Sequence, residues 1–388
     1  MNSLRNSTII SWIFPVYIVL IYYVFGFGSI GEWLLIFLAI ISFRSKIPRI
    51  TPLSYLITFI ILSDVSLIIY TNGDLSSSFF NRESFLLVQM LSLFFLSSNI
   101  NHRVITKAIY ILALIVSLGV LYHVFLISLG QAVSTIAFVS FEASRFSEVV
   151  YRPLSVFPEP AAIVSFLIIP LYLLMNDGKI FYSILLSIVI LLTTSSTGIY
   201  YLLVMWAYWL LKSENTNLVK WSIIFTLFIV IITFLTTNTF KSSSEKISQD
   251  LEDIQTTDFQ MLEGNIRLFS GPLLFSTLNP AQILFGLRSS SVDDYVNNST
   301  GSSLDYLKIG RKIFLPSFWL IWASYGLVGL ILYLNIFYRF YKKNKRLAPL
   351  MLVLVTGMFI QKIGLGPVFM FYFIFLSSDS RFHNNVLQ

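Results

Sequence analysis

The chain alternates between long apolar runs and shorter polar segments over its whole length. A helix needs about 20 apolar residues to cross the hydrocarbon core of a bilayer, and most of the runs approach or exceed that length. The pattern therefore predicts an all-α polytopic membrane protein with about twelve transmembrane helices. The runs lie at about residues 9–28, 30–43, 52–70, 85–100, 104–129, 161–175, 180–194, 197–211, 220–238, 315–338, 347–361 and 363–377.

Basic residues are concentrated on one side of this predicted bundle. The short segments that follow alternate helices, together with the two ends of the chain, hold 15 of the 26 Lys and Arg residues. Lys and Arg collect in short cytoplasmic loops, so we predict that this side is the cytoplasm and that both termini lie there.

The opposite side carries the longer polar segments, at residues 71–84, 130–160 and 239–314. Long loops opposite such short cytoplasmic loops are where function is expected. Within the largest loop, Glu245–Phe275 has apolar residues at helical spacing, and the Ser-, Asn- and Asp-rich stretch 289–303 is predicted to be mobile.

These segments divide the chain into three parts. Residues 1–238 carry helices 1–9 with a loop at about 130–160, residues 239–314 form the large loop, and residues 315–388 carry helices 10–12 and a cytoplasmic tail.

Composition excludes several classes of protein. Hydrophobic residues make up 56% of the chain, charged residues 12%, and the mean hydropathy is +0.78. A soluble domain has about 25% charged residues, so a soluble enzyme, a disordered protein and a fibrous protein are excluded. The absence of cysteine excludes disulfides and cysteine-based metal sites. No P-loop, dinucleotide fingerprint or HExxH motif is found, and the sequence indicates no metal, no cofactor and no nucleic-acid partner.

Two ionisable residues fall inside predicted helices. We interpret His123 as a polar residue that packs between helices and Asp64 as a hydrated structural residue near the outer end of its helix. A functional role is the alternative for both, because ionisable groups inside a membrane are costly.

The stretch from Arg145 to Ala161, RFSEVVYRPLSVFPEPA, is the most informative. Its prolines exclude a continuous helix before the sixth run. Arg145 and Arg152 suit a bidentate phosphate partner. Glu159 is flanked by apolar residues, and desolvation would raise its pKa towards that of a useful general base. The alternative is that these charges are interfacial anchors that pair with each other and with lipid headgroups.

Further candidates lie in the large loop and in one tight turn. Arg267, Arg288 and Arg311 are basic residues on the side opposite the cytoplasm, although snorkelling to headgroups explains each of them as well. The turn Thr193–Gly198 contains Ser195 and Thr197, whose hydroxyls either line a sugar site or cap the two adjoining helices.

The order of these features resembles the superfamily of O-antigen polymerases and O-antigen ligases. The resemblance rests on the predicted helices, on the run from Arg152 to Pro160, on the turn at 193–198, and on the large loop before the last three helices. Inside that loop, the order Arg267, Asn279–Pro280 and Phe285–Gly286 is similar to a run of the family. The family's turn usually reads Ser-Arg, whereas Ser195 is followed by Ser196 in this chain. Ligases place a histidine in the large loop, and this loop has none, so the polymerase branch is favoured.

The resemblance implies a GT-C-type glycosyltransferase of the bacterial inner membrane that acts at the periplasmic face without a cofactor. Its donor and acceptor would be oligosaccharides linked to undecaprenyl pyrophosphate, within membrane lipids and beside a co-polymerase that sets chain length. Glu159 would be the general base or would position the acceptor, and Arg152, Arg267 and Arg288 would clamp the pyrophosphate or sugar. Arg145, Arg311, Ser195 and Thr197 would bind substrate.

Two other functions stay open at this point. A ligase would use the same donor and transfer the glycan to lipid A-core. A flippase or other transporter of lipid-linked oligosaccharide would carry charges along a path inside the bundle, whereas most of the candidate arginines lie at the predicted interface.

Overall fold

The computed structural model of the protein is built almost entirely from helices in the part of the chain that it describes. The described residues are 2–25, 28–42, 52–70, 77–136, 152–212, 266–287, 292, 295–296, 308–309, 312–313, 315–359 and 367–386. The helices are α1 (Asn2–Ile13), α2 (Tyr17–Leu20), α3 (Ile30–Ser42), α4 (Pro52–Tyr70), α5 (Ser77–Ser97), α6 (His102–Ser128), α7 (Pro160–Asn176), α8 (Ile180–Leu192), α9 (Ser196–Lys212), α10 (Ile266–Thr277), α11 (Pro280–Phe285), α12 (Ser317–Lys343), α13 (Ala348–Gly357) and α14 (Pro367–Val386).

Short strands and a 3₁₀ turn at Lys345–Leu347 accompany the helices. The antiparallel pairs are β1 (Val24–Phe25) with β2 (Gly28–Ser29), and β3 (Lys308–Ile309) with β4 (Lys312–Ile313).

The helices follow the predicted apolar runs, with differences at four places. In the first run the helical path passes through a 3₁₀ turn at Phe14–Val16 and ends at Leu20, and the β1–β2 hairpin then leads into α3. Helix α5 begins at Ser77 rather than near residue 85, α12 continues to Lys343, and α14 continues to Val386 rather than ending near residue 377. The predicted helix at 220–238 lies outside the described residues, whereas α10 confirms the end of the helical pattern in the large loop.

Two of the described helices, α6 and α12, are long and apolar enough to cross a membrane, judged by length and composition. On α6 one face presents Leu114, Leu118 and Phe125, each more than half exposed. Soluble proteins rarely expose a contiguous apolar face of this kind. The fold is therefore compatible with a helical membrane protein, while the number of spans and the GT-C architecture stay predictions.

Helix α7 lies at the centre of the bundle. Every side chain from Ile163 to Leu173 is buried, as is typical of a helix that is apolar on all sides. Aromatic rings continue this core towards the start of α7: the ring of Phe166 lies 6.0 Å from that of Phe157, which meets Tyr22 edge to face at 5.8 Å. The residues just before α7 are thus attached to the core by packed aromatic rings.

A second, smaller apolar cluster joins the described part of the large loop to α12. Its buried members are Leu274, Val292, Val296, Leu315 and Ala323. Helix α10 packs directly on α12, because a Cβ at Gly271 would clash with the indole ring of Trp319.

Helix α12 is broken at Gly326, whose φ of 67° and ψ of −177° are not helical. Gly286, just after α11, lies against this break, and a Cβ on either glycine would clash with the backbone of the other segment. The Leu287 N–H donates to the Ala323 carbonyl at 2.7 Å, so a hydrogen bond also joins the two segments at the break.

Candidate functional site

The Arg152–Glu159 segment leads into α7 and is not helical, as its prolines predict. A turn forms at its centre, where the Phe157 N–H donates to the Leu154 carbonyl at 3.0 Å. Ser155, the first central residue of this turn, has a φ of 52°. Glycine is the usual residue at a position of this kind, and the conformation costs another residue about 1–3 kcal/mol. Contacts outside the segment must therefore hold Ser155 in place.

One such contact comes from His123 on α6. Its Nδ1 accepts the Leu154 N–H at 3.1 Å and the Ser155 N–H at 3.2 Å. The His123 side chain is only 2% exposed. The histidine is therefore a packing residue, as predicted, but its partner is the backbone of the candidate segment rather than another helix.

A second contact fits the Ser155 side chain into a notch on α6. The hydroxyl donates to the Val116 carbonyl at 2.9 Å. The notch exists because residue 119 is glycine: a Cβ there would clash with Ser155 Oγ and would lie 3.1 Å from Ser155 Cβ. Gly119 and His123 are four residues apart and so share one face of the helix.

The stretch after α6 also holds the segment. The Ile136 N–H donates to the Ser155 carbonyl at 2.8 Å, and the Thr135 hydroxyl donates to the Phe157 carbonyl at 3.3 Å. These contacts fix the candidate segment to the end of the stretch that follows α6. Arg145 itself lies outside the described residues.

Glu159 occupies the N-cap position of α7 with extended backbone angles. Its carbonyl accepts the Ala162 N–H at 3.1 Å, but its side chain does not cap the helix. The residue is half-buried. The N-cap position is the end of a helix at which the helix dipole favours a negative charge.

Arg152 begins the segment and is exposed. Seven positions separate it from Glu159, and the seated turn lies between them. A guanidinium and a carboxylate therefore occupy the two ends of one segment whose centre is fixed to α6.

The turn between α8 and α9 lies against the first turns of α7. Gly198 packs there, and a Cβ on it would lie 3.0 Å from Val164 Cγ2. Val164 is five residues beyond Glu159, which is about 7.5 Å along a helix. The structure therefore brings the Thr193–Gly198 turn close to the start of α7, with Ser195 and Thr197 both buried.

The hydroxyls of this turn have different surroundings. Thr193 Oγ1 donates to the Ile190 carbonyl at 2.7 Å and so satisfies the end of α8. Thr194 has a φ of 55°, an unusual value for a β-branched residue. Its Oγ1 is buried without a hydrogen-bond partner among the described residues. Capping is thus shown for Thr193, and a sugar-binding role of Ser195 and Thr197 stays a prediction.

The remaining predicted arginines are placed only in part. Arg267 lies in the first turn of α10, one helical turn before Gly271, and nothing is described of its side chain. Arg288 and Arg311 lie outside the described residues.

Sequence reasoning missed Gly119, Ser155 and Gly326. Gly119 could have been identified from the sequence. A glycine and a histidine four residues apart in an apolar helix lie on the same face and form one small, polar patch. No comparable signal marks Ser155 as the residue of positive φ.

Asp64, the other ionisable residue of a predicted helix, lies on α4 with 6% of its surface exposed. Its carboxylate therefore faces the interior of the bundle.

No group of three His, Asp or Glu side chains that could hold a metal ion is found within the described parts of the chain. The comparisons with known proteins add no identification, since neither the family models nor the curated proteins searched include a match to this chain.

Proposed function

We propose that this protein polymerises the repeat units of a bacterial surface polysaccharide at the outer face of the inner membrane. The growing glycan is transferred from undecaprenyl pyrophosphate to the non-reducing end of a second lipid-linked repeat unit. The proposal rests on the resemblance of the sequence to O-antigen polymerases and on the arrangement of the Arg152–Glu159 segment.

One observation carries most weight. Glu159 is a half-buried carboxylate at the start of the central helix. The segment that bears it is held by His123, Gly119 and Thr135. A catalytic carboxylate needs this kind of fixed placement at an accessible end of a rigid element.

The reaction requires a base and a stabilised leaving group. The acceptor hydroxyl oxygen bonds to the anomeric carbon of the donor while the bond from that carbon to the pyrophosphate oxygen breaks. Glu159 accepts the hydroxyl proton, and undecaprenyl pyrophosphate leaves with the bonding electron pair.

Arginine residues neutralise the negative charge that develops on the leaving pyrophosphate. Arg152 is the described candidate, with Arg267 and Arg288 as further clamps and Arg145 and Arg311 as additional contacts. Guanidinium groups suit this role because each can bind two phosphate oxygens at once.

Substitution of the two described residues tests the proposal. We expect Glu159→Gln and Arg152→Ala each to lower the rate of polymer formation by on the order of 10²–10³, because each removes one well-placed charge. Arg152→Lys should also be impaired if the contact is bidentate. The measurement is glycan chain length and yield in membranes supplied with lipid-linked repeat units from the native host.

Arg103 provides the matched control for this experiment. It is an exposed arginine at the first turn of α6, at the other end of that helix from His123 and the candidate segment. Arg103→Ala should leave chain length and yield unchanged. Normal polymer from Glu159→Gln at equal protein level would remove Glu159 from the mechanism.

The same assay distinguishes the polymerase from the ligase and the flippase. A polymerase makes long chains from lipid-linked repeat units when lipid A-core is omitted, whereas a ligase makes no product without that acceptor. A flippase moves the repeat unit across the bilayer without elongating it.

A further inference from the structure

We propose that His123 is a positioning residue for the candidate site: its Nδ1 holds the Leu154 and Ser155 N–H groups and thereby sets the placement of Arg152 and Glu159. The effect on catalysis rests on the proposed function, but the placement of the segment is tested independently of any activity.

The hydrogen bonds determine the state of the imidazole ring. Two N–H groups donate to Nδ1, at 3.1 and 3.2 Å, so this nitrogen presents its lone pair. The ring is therefore neutral, with its proton on Nε2. A protonated imidazole would present an N–H to two other N–H groups and could not hold the turn.

The bonded pair lies at the centre of the segment. Ser155 follows Arg152 by three residues and precedes Glu159 by four. A shift of the turn at 154–155 therefore moves both ends, and a misplacement of about 1 Å can lower a catalysed rate about 10²-fold.

His123 does not act on substrate directly. The side chain is 2% exposed, and the nitrogen on which two N–H groups converge is not available to a substrate proton. Its contribution is to supply an acceptor for two N–H groups of the turn, which would otherwise be buried without this partner.

Gly119 and His123 act together on the same turn. The glycine leaves room for the Ser155 side chain, and the histidine Nδ1 accepts a hydrogen bond from the Ser155 N–H. The positive φ of Ser155 is held from both sides, which explains why a residue other than glycine is tolerated there.

Three variants separate the hydrogen bond from the volume of the ring. Asparagine at 123 places its Oδ1 near the position of the imidazole Nδ1, whereas glutamine places its amide oxygen one bond further out. His123→Asn should therefore retain the seated turn, and His123→Gln and His123→Ala should lose it. His102→Ala is the matched control, because this histidine begins the same helix and contacts Ser378 at 3.3 Å instead.

Seating of the turn is measured with a single introduced cysteine. The chain has no cysteine of its own, and Val156 is a buried residue of the turn. We expect Val156→Cys to react slowly with a maleimide when His123 or His123→Asn is present. The reaction should be at least about tenfold faster with His123→Ala or His123→Gln. Arg152→Cys, at an exposed position, serves as the reference for full reactivity.

Polymer formation from lipid-linked repeat units is then measured for the same position 123 variants without the added cysteine. We expect His123→Ala and His123→Gln to fall by about 10²-fold, and His123→Asn to retain most of the rate. If the His123 side chain only fills space, asparagine should not restore the rate better than glutamine does.

The outcomes separate the two proposals. Unchanged protection of Val156→Cys in His123→Ala, or equal behaviour of His123→Asn and His123→Gln, would overturn the positioning role. Loss of protection with normal polymer formation would overturn its effect on the reaction. Absence of polymer from the unaltered protein would contradict the proposed function, while the labelling result would still decide how the turn is held.

Discussion

Only glycine fits at position 119, because Ser155 Oγ occupies the space where a Cβ would lie. Ser155 in turn carries a positive φ and donates its hydroxyl to the Val116 carbonyl. The two residues therefore depend on each other, and neither can be changed without an effect on the other.

We expect Gly119→Ala to destabilise the protein by about 1–3 kcal/mol, the usual cost of a forced overlap in a packed interior. Ser155→Gly should be milder, since glycine adopts the positive φ without strain and only the hydroxyl contact is lost. The double variant should be more stable than Gly119→Ala alone, because the Ser155 Oγ that causes the overlap is gone. The measurement is Tm in detergent, followed by tryptophan fluorescence.

Two outcomes of this double-variant cycle would contradict the prediction. If Gly119→Ala with Ser155→Gly has the same Tm as Gly119→Ala, the overlap with Ser155 is not what destabilises the single variant. Simple addition of the two separate losses leads to the same conclusion.

At the scale of elements, α11 and α12 meet through two glycines. Gly286 has a φ of 82° and ψ of 171°, and Gly326 has a φ of 67° and ψ of −177°. Both conformations belong to a region that only glycine adopts readily. The contact is completed by the Trp322 indole N–H, which donates to the Ile283 carbonyl at 3.1 Å. Helix α11 is thus attached to the bundle at the break in α12.

We expect Gly326→Ala and Gly286→Ala to detach α11 from α12, because each adds both backbone strain and a clash with the facing backbone. Gly130→Ala is the matched control, since Gly130 also has a positive φ, of 76°, but a Cβ there meets no atom within 4 Å. The measurement is protease cleavage of the large loop, which should accelerate strongly in the first two variants and little in the third. Equal cleavage of all three would show that strain alone, and not the contact, is responsible.

The elements were more predictable than their contacts. The apolar runs predicted most described helices, because spanning-length apolar segments and flanking polar residues are local signals. The prolines likewise predicted that α7 begins only after Glu159. The break in α12 was not predicted, because a glycine inside an apolar helix is often tolerated without a break. Only the contact with Gly286 explains why residue 326 is glycine. Arg152 and Glu159 were identified from residue type, whereas the role of His123 depends on a contact between residues 31 positions apart.

At the scale of the whole molecule, the described contacts separate the two ends of the bundle. At one end, Ser7 contacts Asn99 and His102 contacts Ser378. At the other end, His123 contacts the Arg152–Glu159 segment, and Gly198 of the α8–α9 turn contacts Val164. Arg103, one of the basic residues predicted to be cytoplasmic, adjoins His102 at the first end, and the candidate segment lies at the second.

A topology measurement decides whether this second end faces away from the cytoplasm. Arg152→Cys and Lys212→Cys place single reporters at exposed positions, one on the candidate segment and one at the opposite end of α9. Because the chain has no cysteine, a membrane-impermeant maleimide reports each position without background. The positive-inside rule predicts labelling of Arg152→Cys in intact spheroplasts and labelling of Lys212→Cys only after the membrane is permeabilised. The reverse pattern would place Glu159 on the cytoplasmic side, where a polymerase of exported repeat units would not meet its substrates.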